Sequence, residues 1–591
     1  MSHPSVPWKL LLFCNAVFGL YAWGANYSGP LFFQALWINL LIFIIPGLGW
    51  IGILAERVQD RLMLLFFIVF FSLVALWFGL GLLHLLGLAP SLNNLLFYLL
   101  VITNLGIFLT HDRQTLAYLI GEPRAFFRRM FYSFFIFGIL FMGVIRFPVL
   151  EDYDDEIPGT AYGLIYEFKP YLAYNLPEKY FYFAHPPLVN MYSAAGLLLL
   201  DRLETMKFYY DSAKAAEKIL ASQPGDIHQF YLPSPNEDGT QKVEVKNINN
   251  RQFRVVITGP TETSFQEKVN RDDLTLLFSD RDRLHFYELG LELNVRIGTM
   301  FIAVLLFLST LEMILKYTHR EWLGVLGGAL LVFAPGVYAR AITVNHEVIA
   351  LYAGLVLVYS FLLQDRWDRS NLPRMLLWML PGVFAAFANQ KIVLVLGAIW
   401  IYQVIRWLQK DQSRLIDGLR MLFFPGAIGF VLGELLFIGY GFFIERTTFV
   451  RYYLLGHFVD RVLHLRTIYS GYPNMVRLWF ETGIEAPVIV IAALGGALLL
   501  RKWIQDGLYL LVALWGLVGA IAFSLVDWRM SKHMMQLVPA ASVFAILLYE
   551  KADQSQRHWL LAGYVLALFF SIVLSTALLI NSSLYFPTPV W

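Results

Sequence analysis

From Leu62 to Gly87 the chain reads LMLLFFIVFFSLVALWFGLGLLHLLG, with no Asp, Glu, Lys or Arg. A helix rising about 1.5 Å per residue over such a run exceeds the ~30 Å hydrocarbon core of a bilayer. Only a helix or a closed barrel satisfies its own backbone N–H and C=O groups there, so the stretch predicts a membrane-spanning helix. Working outward, similar runs cover roughly 8–24, 31–54, 93–110 and 130–147. After a polar interval come roughly 293–315, 323–339, 346–363, 374–388, 391–407, 419–443, 484–500, 506–525, 534–549 and 559–581. The runs at 374–388 and 391–407 are short and read either as two spans or as one broken helix. Of the 591 residues 58% are hydrophobic and only 15% charged, against about 25% charged in soluble domains. The expected fold class is an all-α polytopic membrane protein of about 14–15 transmembrane helices.

Charge placement supplies orientation, because Lys and Arg accumulate in cytoplasmic loops. Arg57 and Arg61, Arg113 with Arg124, Arg128 and Arg129, Lys316 and Arg320, Arg366 with Arg369 and Arg374, Lys410 and Arg414, Arg501 and Lys502, and Lys551 and Arg557 all fall in alternate loops. These loops are expected to be cytoplasmic. The opposite face then receives residues 148–291, the turn Arg340 to Asn345, the Asn389-Gln390-Lys391 corner, the loop 444–483, and Lys532-His533. A formal net charge of +2 offers no field that would gather nucleic acid. The single cysteine, Cys14, excludes an internal disulfide and reads as a small core residue. Lys9 before an apolar run has the look of a signal peptide, but no A-x-A-like site follows clearly, and the segment reads as a retained first span.

Between residues 201 and 290 the texture changes. Alternation from Val243 to Ile248, then Asn249-Asn250, then Arg251 to Ile257, predicts a hairpin. The expected organisation is residues 1–129 as N-terminal transmembrane helices and 130–202 as a helix with an acidic extracytoplasmic loop. A small extracytoplasmic α+β insertion follows at 203–290, then the remaining transmembrane core at 291–591 with its outer loop 444–483.

Chemistry concentrates on the extracytoplasmic face. Glu151, Asp152, Asp154, Asp155 and Glu156 crowd into six residues, and their mutual repulsion favours a carboxylate ready to accept a proton. A solvated membrane boundary is the plainer reading of such a pair. His185-Pro186-Pro187-Leu188 starts a new helix near Val189 and places His185 at its N-terminus, where an anion is favoured. Helix-entry punctuation alone would look the same. Arg296, Arg340, Lys391 and Lys532 are isolated cations at the ends of apolar runs, costly there unless they meet an anion, although Arg340 and Lys532 are also placed to snorkel and Arg296 to pair with Glu292. His346 and His533 read as structural histidines or metal helpers. In the outer loop Arg446, Arg451, Arg461, Arg466 and Arg477 interleave with Tyr452, Tyr453, Tyr469, Tyr472 and Trp479. That mixture suits headgroups, diphosphate or sugar stacking, and equally an amphipathic helix lying on the membrane.

These residues, in this order, resemble the GT-C class of polyprenyl-phosphate-sugar-dependent glycosyltransferases, particularly protein O-mannosyltransferases and the lipid A aminoarabinose transferases. The resemblance covers roughly residues 130–550. It rests on Asp155-Glu156, the Pro186-Pro187-Leu188 motif preceded by His185, Glu292 to Arg296 entering a span, Ala339-Arg340 with Asn345, Lys391, and Phe523-Ser524 with Lys532 and Pro539. Asn345 stands where the family has Asp, with Glu347 a nearby substitute. Gln390-Lys391-Ile392 stands for the usual Lys-Gly, and the insertion after Leu200 is unusual.

The resemblance implies a GT-C-like fold and an inverting transfer of a sugar from a polyprenyl-phosphate donor to a lipid, glycan or protein acceptor. It implies Asp155 as acceptor base, and Glu156 as its helper or a ligand of a divalent metal, which is left open. It further implies His185, Arg296, Arg340, Lys391 and Lys532 on the donor phosphate, with Asn345, Glu347, His533, Tyr469 and Tyr472 near substrate. The expected location is a bacterial inner (plasma) membrane with the site facing the periplasm or exterior. A polymerase or ligase using a diphosphate-linked donor shares these features. A lipid or solute transporter would carry its charges on both sides of the midplane.

Overall fold

The computed structural model describes residues 8–26, 31–55, 58, 60–88, 91–110, 122–146, 164–165, 168, 188–199, 219, 221–233, 240–258, 264–270, 289–343, 346–363, 372–409, 423–450, 472–525 and 531–580. The first half contains helices α1 (Trp8–Asn26), α2 (Leu31–Phe43), α3 (Ile45–Trp50), α4 (Gly52–Ala55), α5 (Arg61–Leu85), α6 (Leu92–Thr110), α7 (Pro123–Arg146) and α8 (Leu188–Leu199). Four strands follow, β1 (Ile227–Pro233), β2 (Thr240–Asn247), β3 (Gln252–Thr258) and β4 (Ser264–Asn270). Next come α9 (Leu289–Thr318), α10 (Glu321–Val332), α11 (Pro335–Ala341), α12 (Glu347–Leu363), α13 (Leu372–Ala388), a 3-10 turn (Gln390–Ile392), α14 (Val393–Gln409) and α15 (Pro425–Thr448). The last elements are α16 (Tyr472–Glu485), α17 (Pro487–Leu498), α18 (Leu500–Trp503), α19 (Gly507–Leu525), α20 (Ser531–Met534), a second 3-10 turn (Met535–Leu537), α21 (Val538–Lys551) and α22 (Gln554–Ile580).

Among the described residues, eight helices are long and apolar enough to cross a membrane, or up to ten if each of two bent pairs is one span. The protein is therefore a helical polytopic protein in its described part. Several expected spans are interrupted. The run 31–54 is not one helix but α2, α3 and α4 in succession. Pro46 sits in the first turn of α3 after an irregular Ile44, and a proline there has no N–H to give and crowds the preceding turn. The run 323–339 bends by 74° between α10 and α11, at Pro335. The run beginning at 484 bends by 104° where α16 meets α17 at Pro487. The runs at 374–388 and 391–407 are separate helices: α13 lies along α15, and α14 lies along α19.

Helix α9 is the most enclosed of the candidate spans and packs on α2, α7, α8, α10, α11, α12 and α21. Small residues let neighbouring backbones approach, as is usual where lipid supplies no hydrophobic drive between helices. In the α13–α15 pair, Gly429 lies against the Met379 carbonyl and Gly382 against the Gly426 carbonyl, both too close for a Cβ. Side-chain amides tie α1 to α6, Asn15 donating to Asn104 at 2.9 Å and Asn104 to Asn15 at 3.1 Å.

The strands form one antiparallel meander in chain order. Val243, Val245, Phe253 and Val255 are buried on one face. The expected turn at Asn249-Asn250 joins β2 to β3, with Asn250 at φ 59° and its N–H held by the Asn247 side chain at 2.8 Å.

Ion pairs join one end of the bundle. Arg129 pairs with Glu312 and Arg128 with Glu321. Lys316 meets Asp60 at 3.0 Å, Arg320 meets Glu550 at 3.4 Å, Lys551 meets Asp506 at 2.9 Å and Lys502 meets Asp553 at 3.3 Å. Every cation in this set comes from a loop that charge placement assigns to the cytoplasm. At the other end of α9, twenty residues before Lys316, is Arg296. At about 1.5 Å per residue that separation is ~30 Å, the thickness of a hydrocarbon core.

Candidate functional site

At the Arg296 end, the bends and helix breaks bring several segments of the chain together. Helix α12 begins at Glu347, which is fully buried in an apolar helix. Its carboxylate pairs with the Lys391 ammonium. Gln536 Nε2 donates to Glu347 Oε2 at 2.8 Å. His346 Nε2 lies 3.5 Å and His533 Nδ1 3.6 Å from Glu347 Oε1. One buried acid thus gathers groups from α12, the 390–392 turn and the 531–537 segment.

Local sequence explains the placement of each partner. Asn389 leaves the helical path and its side chain accepts from the Lys391 N–H at 3.0 Å, so the 3-10 turn starts there and aims Lys391 across at α12. His533 and Gln536 are three residues apart in a helical segment and therefore share a face. The Phe523 ring stacks on His533 at 6.2 Å between centroids. Lys391 keeps 20% of its side chain exposed, whereas Glu347 keeps 1%. The buried Glu347 carboxylate thus holds the Lys391 ammonium, which is the more exposed of the two.

A second polar pair adjoins the first. Arg340 stands 3.6 Å from Glu485 and donates to the Gly336 carbonyl at 2.7 Å. Gly336 lies against Met535 and the Glu485 carboxylate with no room for a Cβ, which places this pair beside Gln536. Arg296 is 1% exposed and its Nε donates to the Ile342 carbonyl at 2.7 Å, bracing the end of α11 from α9. Nearby, Trp479 donates to Ser524 Oγ at 3.0 Å, linking α16 to α19.

Of the residues singled out in the sequence, Arg296, Arg340, Glu347, Lys391 and His533 are described, and all lie at this end of the bundle. Lys532 lies within α20 and Tyr472 begins α16, but their side chains are outside the described residues, as is that of Glu292. Asp155, Glu156, His185, Asn345 and Tyr469 also lie outside the described residues. Gln536 and Glu485 went unrecognised in the sequence. For Gln536 the available signal is its three-residue spacing from His533; for Glu485 it is a carboxylate just before Pro487. Among the described residues no group of three or more His, Cys, Asp or Glu side chains is arranged to hold a metal ion.

The arrangement can hold an anion at a membrane boundary. Two cation–carboxylate pairs, Lys391–Glu347 and Arg340–Glu485, lie at this end together with the buried Arg296 guanidinium. Lys391 is the most exposed of these cations, with 20% of its side chain accessible against 15% for Arg340 and 1% for Arg296. In comparisons with protein-family models, curated proteins and solved structures, nothing matches the chain.

Proposed function

We propose that the chain is a membrane glycosyltransferase of the GT-C type, moving a sugar from a polyprenyl-phosphate donor to a lipid, glycan or protein acceptor on the extracytoplasmic face. The observation that carries this reading is Lys391, held by buried Glu347 yet partly exposed, at the bundle end where charge placement also puts Asp155, Glu156 and His185.

In this reaction the acceptor O–H or N–H gives its proton to the Asp155 carboxylate while its oxygen or nitrogen attacks the anomeric carbon. The carbon–oxygen bond to the phosphate breaks with inversion, and the electron pair leaves on polyprenyl phosphate. Charge grows on the leaving phosphate in the transition state, and fixed cations aimed at it stabilise that state more than the bound donor. Lys391 fills that role, with His185, Arg340 and Lys532 completing the set and His533 near the substrate. Glu347, Gln536 and Asn389 hold Lys391 in position, and Arg296 braces the α11 end. Glu156 assists Asp155, either directly or through a divalent cation. The location this implies is a bacterial inner membrane, with the site facing the periplasm or exterior.

The test is transfer by purified protein in proteoliposomes supplied with a labelled polyprenyl-phosphate sugar and an envelope-lipid acceptor extract. Asp155→Asn is expected to reduce transfer by about 10²-fold or more while donor binding persists. Undiminished transfer by this variant would overturn the assignment of the base.

A further inference from the structure

The strand register places three cations in a row. Lys246 of β2 pairs with Arg254 of β3, and Arg254 pairs in turn with Lys268 of β4. Directly paired residues point to the same face of a sheet, with Cβ atoms about 5 Å apart, and like charges so placed repel. All three side chains are exposed, and none forms an ion pair with a described residue. The one described acid on their face, Glu244, is taken by Gln229 at 2.7 Å and by Lys242 at 3.9 Å. The reverse face is apolar and closed by Val243, Val245, Phe253 and Val255, so the cationic row is the outward side of the sheet.

Two apolar side chains border the row. Ile227 pairs with Lys246 at the sheet edge and is 52% exposed, and Ile248 follows at the hairpin tip, 38% exposed. Exposed Arg251 lies in the same turn. Cations rimmed by exposed aliphatic residues match a bilayer surface, where phosphate headgroups meet the charges and the aliphatic groups enter the interface. A soluble anion would have no use for the isoleucines.

We propose that this face of the sheet docks on anionic phospholipid headgroups of the membrane that the helices span. The tether favours it: residues 271–288 join β4 to α9, and eighteen residues reach at most about 65 Å. Docking is thus intramolecular and needs little intrinsic affinity. The inference is independent of any glycosyl-transfer reading.

The test is hydrogen–deuterium exchange of the full-length protein in phosphatidylcholine nanodiscs and in nanodiscs of equal parts phosphatidylcholine and phosphatidylglycerol. Residues 246–254 are expected to exchange about tenfold or more slowly in the anionic discs, each cation near such a surface contributing roughly a fivefold factor. That protection is expected to vanish in K246Q/R254Q/K268Q and in high salt, while the amides of Val243 and Val255 stay protected in both disc types, which shows that the sheet remains folded. I227S/I248S is expected to weaken the protection without removing its salt dependence. Equal exchange in the two disc types, or protection retained by the triple variant, would overturn the proposal. So would full protection in phosphatidylcholine discs on adding inorganic phosphate, because the ligand would then be a soluble anion.

Discussion

A carboxylate enclosed in a membrane helix bundle bears a desolvation penalty of several kcal/mol, and it persists there only when charge and hydrogen bonds compensate. Glu347 has the Lys391 ammonium on one oxygen and the Gln536 amide on the other. Removing the ammonium leaves the acid buried with Gln536, His346 and His533 but without its lysine countercharge. Lys391→Met is therefore expected to destabilise the protein by about 3–5 kcal/mol, the range for breaking a buried pair, measured as a lowered unfolding midpoint in detergent. The double variant Glu347→Leu/Lys391→Met removes both charges and is expected to recover most of that loss while staying inactive in sugar transfer. A double variant as unstable as the single one would show that the pair is not a coupled unit. At this scale the sequence was partly legible. Glu347, Lys391 and His533 stand out because polar residues interrupt apolar runs. Their partnership does not, because forty-four residues separate Glu347 from Lys391 and only the packing of α12 beside the 390–392 turn joins them. Gln536, neutral and set in an apolar run, is marked only by its three-residue spacing from His533, which does not reveal that it completes a buried carboxylate.

At several helix contacts the backbones approach closely at glycine, and the α13–α15 seam is the clearest instance. Gly429 meets the Met379 carbonyl and Gly433 meets Ala386 with no space for another carbon. Gly429→Leu is expected to push these helices apart and lower the unfolding midpoint by an amount corresponding to about 1–3 kcal/mol or more. The control Gly439→Ala, where a Cβ would have no neighbour within 4 Å, is expected to leave it nearly unchanged. Equal effects would mean that helix propensity, not the seam, sets the result. Hydropathy locates most of these helices to within a few residues, since twenty apolar residues have few other fates. It does not locate the breaks at Ile44 and Ala334 or the bend at Ala486. Pro46, Pro335 and Pro487 are visible in the sequence, but a proline in the first turn of a helix is well tolerated, and whether the chain kinks there depends on what each piece packs against.

For the whole molecule, the two polar ends are the organising feature. One end is ringed by pairs such as Lys316–Asp60 and Lys551–Asp506, and the other holds Glu347, Lys391 and Arg340. Charge counting assigns the first to the cytoplasm. With buried Cys14 as a silent background, Asn249→Cys is expected to react with a membrane-impermeant maleimide in intact cells at high salt, which releases the sheet from the headgroups, and Lys502→Cys only after permeabilisation. The reverse pattern would invert the topology and remove the extracytoplasmic site. The acidic loop and His185 were legible in the sequence as a motif and lie outside the described residues; charge placement alone assigns them to the face of the described site. Donor chemistry is decided by the lipid product released by wild-type protein in proteoliposomes given a polyprenyl-phosphate sugar or its diphosphate-linked counterpart. The expected product is polyprenyl monophosphate, formed from the first donor only and lost in Lys391→Met. Consumption of the diphosphate donor alone, or of neither, would contradict it.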